Sequence, residues 1–344
     1  MLRVSTPNLY RYRRVPLVGQ HYRIVAALMY SWRVCRALGA LHREAPVDVV
    51  EFTDVNAEGF FWRRGRGGEL AVRCRTPAFV LARYYTPEES AFNPALLGWA
   101  ERRVIRRART LFAPSQDMAT VISSACQLAR DRFHVIPNAL DTHLFSPHVR
   151  GTERRELTIL FVGRLERAKG IEVLAQAIPQ VCRDVPSARF IFIGTDRQRP
   201  PNGSHRRFLE ETLGEYIASR RVEFRGAISQ PELVEAYHEA DIGVVPSLLY
   251  ESFSYTCAQA MACGLPVVAS RIGGIPETLA HGECGVLVTP GNSQELSEAL
   301  IELCCDPTRR RVLGAAGRER AVTAFSSETV ARRNLEVYEQ AISS

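Results

Sequence analysis

Short apolar runs alternate with amphipathic stretches through the second half of the chain. Residues 171–185 have the apolar spacing of a helix, and Ser229 with Glu232 forms a capping-box pattern before another helix. Strands of four to seven residues that alternate with helices are typical of right-handed βαβ units around a parallel sheet. The predicted buried strands are residues 157–163, 188–194, 221–226, 241–247, 266–270 and 285–290.

The first half shows the same alternation in a less regular form. Helical patterns cover residues 23–42 and 96–109, and each of them precedes a strand pattern. The predicted strands are residues 47–52, 70–74, 110–114 and 134–138. The whole chain therefore belongs to the α/β class in our prediction.

The length and one polar stretch predict the domain organisation. A chain of 344 residues is about twice the size of a common domain. Residues 148–156 are polar and predict a linker between the halves. We place a first domain at residues 1–150, a second at 151–325, and a solitary amphipathic helix within 326–344.

Charge is distributed unevenly between the two halves. Residues 1–150 carry 22 arginines and 12 acids, whereas residues 151–344 carry 22 basic and 25 acidic residues. We expect the basic half to face an anionic partner, which is a membrane surface, a phosphorylated acceptor or a nucleic acid. The chain has no groove-reading motif and few interleaved aromatic residues, which disfavours the nucleic-acid alternative.

Cysteine usage and hydropathy indicate a cytoplasmic protein. The nine cysteines form no C-x-x-C pair and have no histidine partners at zinc spacing, so we predict free thiols and no metal site. Near the start, the longest uncharged stretch is residues 24–32, which is far shorter than the roughly 20 residues that span a bilayer. We therefore predict no spanning helix and no signal peptide, with peripheral contact at the inner membrane face as an option.

The single lysine of the chain marks the first candidate site. Lys169 is the only lysine among 44 basic residues, in the stretch FVGRLERAKGIEV at 161–173. Gly163 ends a predicted strand, Arg164 follows it, and a helix begins near Gly170. Ligands of open α/β sheets lie beyond the carboxyl ends of the strands. An arginine fork, a lysine point charge and a helix N-terminus suit the oxygens of one diphosphate.

A second constellation lies in residues 246–270. Glu251 stands in the loop after a strand, and a short predicted helix at 256–263 ends before Gly264. Glu251 and Gln259 flank the start of this helix, so we expect both to face one crevice, together with the backbone N–H groups of residues 253–256. Carboxylate and amide groups beside such a helix end suit hydroxyl-rich ligands such as ribose and sugar rings.

Five motifs in register resemble a known family. The strings VGRLERAKG, PSLLYESFSYTCAQAMACGLPVVAS, IGGIPE and GVLVTPGN resemble the donor domain of family 4 retaining glycosyltransferases with the GT-B fold, and VIPNALDTHLFSP resembles the interdomain segment of that family. The resemblance covers about residues 100–340. It implies two Rossmann-like domains facing a cleft, a nucleotide-diphosphate sugar as donor, no cofactor or required metal, and a final helix that returns to the first domain.

The resemblance also implies roles for individual residues. Arg164 and Lys169 match the pair that neutralises the donor diphosphate, and Glu251 matches the acid that contacts the donor sugar. These three are the predicted catalytic residues. The predicted donor-binding residues are Gly163, Arg164, Lys169, Glu251, Phe253, Ser254, Tyr255, Thr256 and Gln259, and the predicted acceptor-side residues are Arg75 and Asn138.

Three positions depart from the family pattern. Gln259 stands where a second glutamate usually holds the ribose, Ser254 replaces a glycine, and Arg75 takes the place of an active-site histidine. These departures favour an alternative function, in which a non-catalytic relative binds nucleotide sugar or a partner protein. The acceptor in the leading interpretation is a lipid-linked or otherwise membrane-proximal glycan, or a small metabolite.

The start of the chain departs from the family as well. Members usually open with a strand, a Gly-rich loop, a helix and a second strand, and no such segment precedes the pattern at 23–42. We therefore expect an incomplete first domain, with uncovered apolar groups near Val4 and a gene product that begins further upstream.

Overall fold

The computed structural model describes residues 18–63, 67–84, 94–148, 156–196 and 203–343. The chain forms two compact units, of which one contains Met1–Pro137 and Ala331–Ser344 and the other contains Asn138–Val330. The predicted linker lies almost entirely outside the described residues, and so does Val4, near which we expected uncovered apolar groups.

The first unit is built on a parallel sheet of four described strands in the order β1-β2-β3-β4. All four predicted strands of this half are present. The elements are α1 (Val18–Glu44), β1 (Val49–Thr53), β2 (Glu69–Arg73), α2 (Ala78–Leu81), α3 (Pro94–Arg107), β3 (Thr110–Ala113), α4 (Gln116–Cys126), β4 (Phe133–Val135) and, at the end of the chain, α13 (Ser327–Ser343).

Helices cover this sheet because its two central strands are largely apolar and buried. All four residues of β3 are buried, as expected for a strand with both faces inside a core. Helix α3 buries Leu97, Ala100, Val104 and Ile105, which follow the helical period. Helix α13 also belongs to this unit: Tyr338 Oη donates to Glu51 Oε2 at 2.7 Å.

Two buried carboxyl groups lie in the first unit, Asp54 directly after β1 and Glu101 on α3. Glu101 accepts hydrogen bonds from the backbone N–H groups of Asn56 at 3.2 Å and Ala78 at 2.8 Å, while Asp54 Oδ1 accepts from the Arg75 N–H at 3.0 Å. Burial raises the pKa of Asp54 to about 7. Burial, with the Asp54 charge as a second cause, raises the pKa of Glu101 to about 8.

These raised pKa values predict that the first unit loses stability as the pH rises. Unfolded acids release their protons near pH 4 and the folded ones near pH 7 to 8, so the folded state binds more protons in between. The free energy of unfolding is therefore expected to fall from pH 5 to pH 8, by on the order of 2 kcal/mol for Asp54. Asp54→Asn is expected to flatten this dependence, and Asp48→Asn, at an exposed position, is expected to leave it unchanged.

Urea unfolding followed by tryptophan fluorescence tests this prediction in the first unit alone. The three tryptophans, Trp32, Trp62 and Trp99, all lie in that unit. A fluorescence midpoint that rises between pH 5 and pH 8 in the parent protein would contradict the prediction.

The second unit contains a parallel sheet of six strands, in which all six predicted strands are present. The capping box at Ser229 and Glu232 is also confirmed. The elements are β5 (Leu157–Val162), α5 (Ile171–Asp184), β6 (Ala188–Ile193), α6 (His205–Thr212), α7 (Gly214–Ala218), β7 (Val222–Gly226), α8 (Gln230–Glu239), β8 (Ile242–Val245), α9 (Tyr255–Ala262), β9 (Val267–Ser270), α10 (Ile275–Thr278), β10 (Val286–Val288), α11 (Ser293–Cys305) and α12 (Pro307–Arg320).

The strand order of this sheet is β10-β9-β8-β5-β6-β7. This is the order of the doubly wound Rossmann fold, because the chain runs outward from β5 to β7 and then returns to place β8 on the other side of β5. The topological switch point lies between β5 and β8. Loops that leave the carboxyl ends of these two strands diverge there and open a crevice for a ligand.

One described helix bears on our prediction that the chain has no membrane-spanning segment. Residues Ile24–Glu44 of α1 are long and apolar enough, by length and composition alone, to cross a bilayer. We took Arg33 as the end of the apolar stretch, whereas a test on windows of 18 residues admits two charged residues and therefore both Arg33 and Arg36. A signal sequence or a core helix passes the same test, so the finding is weak evidence for a spanning helix.

Candidate functional site

The loop between β5 and α5, residues 163–170, lies at the switch point and is called the lysine loop below. A 3₁₀ turn at Arg167–Lys169 leads into Gly170, which has φ +70° and lies at the N-terminus of α5. A Cβ atom on Gly170 would lie 1.7 Å from the Pro246 carbonyl oxygen at the end of β8. The glycine therefore allows the lysine loop to pack directly against the end of the neighbouring strand.

Lys169 and Glu251 form an ion pair across the switch point, although 82 residues separate them in the chain. The Lys169 ammonium donates to Glu251 Oε1, and the Ser247 hydroxyl donates to the same oxygen at 3.1 Å. The two charged side chains are 27% and 18% exposed, so both are partly accessible to a ligand.

The backbone of Glu251 is held from another loop. The Gly274 N–H donates to the Glu251 carbonyl oxygen at 2.7 Å. Gly273 has φ +56°, and a Cβ atom there would lie 2.3 Å from that oxygen. The turn at Gly273 and Gly274 thus fixes the main chain at residue 251, which leaves the side chain to interact with Lys169.

Helix α9 begins beside this ion pair. Ser254 is its N-cap residue, and the Ser254 hydroxyl accepts from the Cys257 N–H at 3.3 Å. The Thr256 hydroxyl donates to the Val162 carbonyl oxygen at 3.3 Å, which ties the helix to the end of β5. The N–H groups and the dipole of a helix N-terminus favour an anionic group at this end.

These parts enclose a cavity of about 160 Å³. It brings together six of the predicted residues with four that we did not predict, namely Phe161, Val162, Val245 and Ser247. Each of those four lies at or directly after the carboxyl end of β5 or β8. That position in a predicted parallel sheet is the sequence signal that could have identified them. The full lining is Phe161, Val162, Lys169, Val245, Ser247, Glu251, Phe253, Ser254, Tyr255 and Thr256.

Three predicted donor residues lie outside this lining. Gly163 borders the cavity, since a Cβ atom there would lie 3.7 Å from Lys169 Cγ. Arg164 pairs with Glu166 at 2.8 Å and is 47% exposed. Gln259 Oε1 accepts a hydrogen bond from the buried Tyr237 hydroxyl at 3.1 Å, which leaves the amide nitrogen and the second lone pair of Oε1 for a ligand.

The two predicted acceptor-side residues belong to different units. Arg75 is exposed just beyond the end of β2, where its N–H is bonded to Asp54. Asn138 is half-buried at the start of the second unit. Neither residue touches the described cavity.

The cavity joins a cation, a carboxylate and a helix N-terminus within one small space. The cation and the helix end suit an anionic group such as a phosphate, and the carboxylate suits hydroxyl donors of a sugar. In the described ranges, no group of three or more His, Cys, Asp or Glu side chains has the arrangement of a metal site.

Comparisons with known proteins agree with this geometry. The family model described as glycosyl transferases group 1 matches residues 146–320, and the model described as glycosyl transferase 4-like domain matches residues 4–139. The chain is 34% identical over 245 residues to an MMP alpha-(1->4)-mannosyltransferase of Mycolicibacterium hassiacum, a match that covers 70% of this chain and 56% of that protein. This chain thus spans less than two thirds of the length of that relative.

A second relative and two solved structures show the same likeness. The chain is 30% identical over 303 residues to D-inositol 3-phosphate glycosyltransferase 1 of Catenulispora acidiphila, covering 82% of this chain and 71% of that protein. Its fold is similar to sucrose-phosphate synthase from Thermosynechococcus elongatus, with a TM-score of 0.79, 25% identity and coverage of 99% and 83%. Anabaena HepE, solved in complex with UDP, has a TM-score of 0.72, 20% identity and coverage of 90% and 82%.

Proposed function

The chain belongs to the glycosyl transferases group 1 family, and on that premise we propose that it moves a sugar from a nucleotide-diphosphate sugar to an acceptor. The GT-B fold class predicted from the sequence is confirmed by the two Rossmann-like parallel sheets. Further parts of the proposal are retention of the anomeric configuration, independence of metal ions and work in the cytoplasm.

The observation that carries the proposal is the Lys169–Glu251 pair at the switch point of the second sheet. A donor diphosphate would bind the Lys169 ammonium and the N-terminus of α9. The Glu251 carboxylate would then accept hydrogen bonds from the sugar hydroxyls. Negative charge grows on the diphosphate as the glycosidic bond breaks, so a fixed cation stabilises the transition state more than the bound donor.

A thermal-shift panel of UDP, GDP, ADP and their sugar conjugates tests the donor class. A ligand at about 100 times its Kd is expected to stabilise the protein by about 2.7 kcal/mol. The same panel repeated with EDTA tests metal independence. NMR of the product tests retention, because the anomeric coupling constants of donor and product are expected to correspond.

Glu251→Gln is expected to lower sugar transfer about tenfold while the Kd of the free nucleotide changes little. The amide makes weaker hydrogen bonds to hydroxyls than the carboxylate does, and a factor of ten corresponds to about 1.4 kcal/mol. Turnover and calorimetric nucleotide affinity are measured on the same preparation. An equal loss in both measurements would contradict the contact of Glu251 with the sugar.

The alternative of a non-catalytic relative is tested at Gln259. If residue 259 holds the donor ribose, Gln259→Glu is expected to tighten donor binding, because a carboxylate makes stronger hydrogen bonds to two hydroxyls than an amide does. Tyr237 remains able to donate to the new carboxylate, so its hydrogen bond is expected to persist. Unchanged or weaker donor binding, with no transfer by the parent protein, would favour the alternative.

The acceptor proposed here is a lipid-linked glycan or a small metabolite that meets the basic first unit. Arg75 and Asn138 are the residues that we propose on the acceptor side. Arg75→Gln probes the proposed role of Arg75 toward the acceptor. It removes a cation at an exposed position while the backbone N–H of residue 75 can still donate to Asp54.

A further inference from the structure

Helix α1 presents an apolar stripe to solvent. Val25, Met29 and Trp32 are 43%, 39% and 48% exposed and follow one another at helical spacing. Ile24, Ala27 and Ser31 on the opposite side are buried. Only 17% of the most apolar window of this helix is buried, which is a small share for a helix of such composition.

Aromatic side chains are also exposed on two segments that contact α1. The Phe61 N–H lies 3.4 Å from the Ser31 hydroxyl oxygen, so the segment that carries Phe61 packs against α1. The Phe60 ring is 5.2 Å from the Phe61 ring and 5.7 Å from the Trp99 ring of α3, measured between centroids. Trp99 is 52% exposed and Phe61 is 38% exposed. We refer to Val25, Met29, Trp32, Phe60, Phe61 and Trp99 as the aromatic patch.

Two arginines lie against rings of the aromatic patch. The Arg36 guanidinium lies 4.8 Å from the Trp32 ring centroid, and that of Arg103 lies 5.8 Å from the Phe60 ring centroid. The segments that carry the patch, residues 24–44, 54–63 and 94–107, hold eight arginines and four acids. Asp54 and Glu101, two of those acids, are fully buried, so the exposed charge is strongly positive.

We propose that the aromatic patch is a docking surface for the headgroup region of an anionic lipid bilayer. Tryptophan and arginine are the side chains that suit this region, because each joins a flat apolar body to a polar tip. The helix lies on the bilayer and does not cross it, since one side of α1 is buried against its own unit and Arg33 and Arg36 interrupt the apolar window. The surface is independent of sugar transfer.

Charge complementarity favours a bilayer over a second copy of the chain. A second copy would bring an equally basic rim against this one, so the rims would repel each other. Anionic lipids supply the opposite charge across a broad area. Each arginine near such a surface contributes about a fivefold gain in binding.

The full chain already contains the fluorescent reporters for the test. Vesicles of equal phosphatidylglycerol and phosphatidylcholine are expected to shift the emission of Trp32 and Trp99 to the blue, and brominated lipids are expected to quench it. Trp62 is 2% exposed and serves as the internal reference, since Trp32→Phe with Trp99→Phe leaves it as the single tryptophan. In that double variant the shift is expected to disappear.

Two arginine pairs separate local from general charge effects. Arg36→Gln with Arg103→Gln is expected to weaken vesicle binding about 25-fold. Arg183→Gln with Arg311→Gln, at exposed positions of the second unit, removes the same charge and is expected to change binding less than threefold. An equal loss in both pairs would overturn the proposal.

Measurements without vesicles show whether another occupant covers the patch. Acrylamide is expected to quench Trp32 and Trp99 in the free chain, and sedimentation is expected to show a monomer. Quenching as weak as that of Trp62, or a dimer that Trp32→Ala dissociates, would overturn the proposal in favour of a segment of the chain or a second copy. Absence of binding to the anionic vesicles would overturn it as well.

Discussion

Lys169→Arg is expected to weaken donor binding by about 10- to 100-fold and to lower sugar transfer by at least about 100-fold. The binding loss corresponds to the roughly 1.5 to 3 kcal/mol of a hydrogen bond to a charged group. The transfer loss corresponds to removal of one transition-state donor. The variant keeps the charge, but a guanidinium is bulkier and its donors lie in a plane. The cavity between β5 and β8 has a volume of only about 160 Å³.

Calorimetry with the nucleotide found in the thermal-shift panel measures the binding loss, and initial rates measure the transfer loss. Arg183→Lys is the matched control, because it exchanges the same two cations at an exposed position of α5. Parent-like binding and turnover in Lys169→Arg would refute the phosphate role of Lys169.

Gly170→Ala is expected to destabilise the second unit by about 3 to 5 kcal/mol and to abolish donor binding. A residue with a Cβ atom pays about 1 to 2 kcal/mol for a left-handed conformation. The new methyl group would also lie 1.7 Å from the Pro246 carbonyl oxygen, so the lysine loop has to leave the end of β8. Urea unfolding followed by circular dichroism measures the change.

Gly226→Ala separates the two contributions. Gly226 has φ +69°, nearly the same as Gly170, but no atom lies within 4 Å of a Cβ placed there. It is expected to cost only about 1 to 2 kcal/mol, which is the backbone share. Equal losses in the two variants would mean that the contact with Pro246 contributes nothing.

The strands were predictable because both sheets are parallel and buried. Such strands are short apolar runs bounded by helical patterns, as 157–163 and 110–114 show. The N-cap of α9 illustrates the precision reached, since the structure begins that helix at Tyr255, one residue before the predicted start. The exposed stripe of α1 was missed because a count of uncharged residues ignores the face on which each arginine lies.

The pairing of side chains could not be predicted from the sequence. The patterns placed Lys169 and Glu251 beyond the ends of two strands, but the contact between them depends on the adjacency of β5 and β8, which a single sequence does not encode locally. Gln259 shows the same limit. Its hydrogen bond to Tyr237 depends on the packing of α8 near α9, two helices whose separate patterns contain no signal for the pair.

Because we propose that Glu251 contacts the donor sugar, the turn at Gly273 and Gly274 offers a fixed main-chain position from which to alter sugar preference. The turn contacts the carbonyl oxygen of residue 251 and does not depend on which side chain stands there. A saturation library at position 251 would therefore display each side chain from nearly the same main-chain position. Selection for new donors should randomise residue 251 together with Ser247 and leave both glycines unchanged.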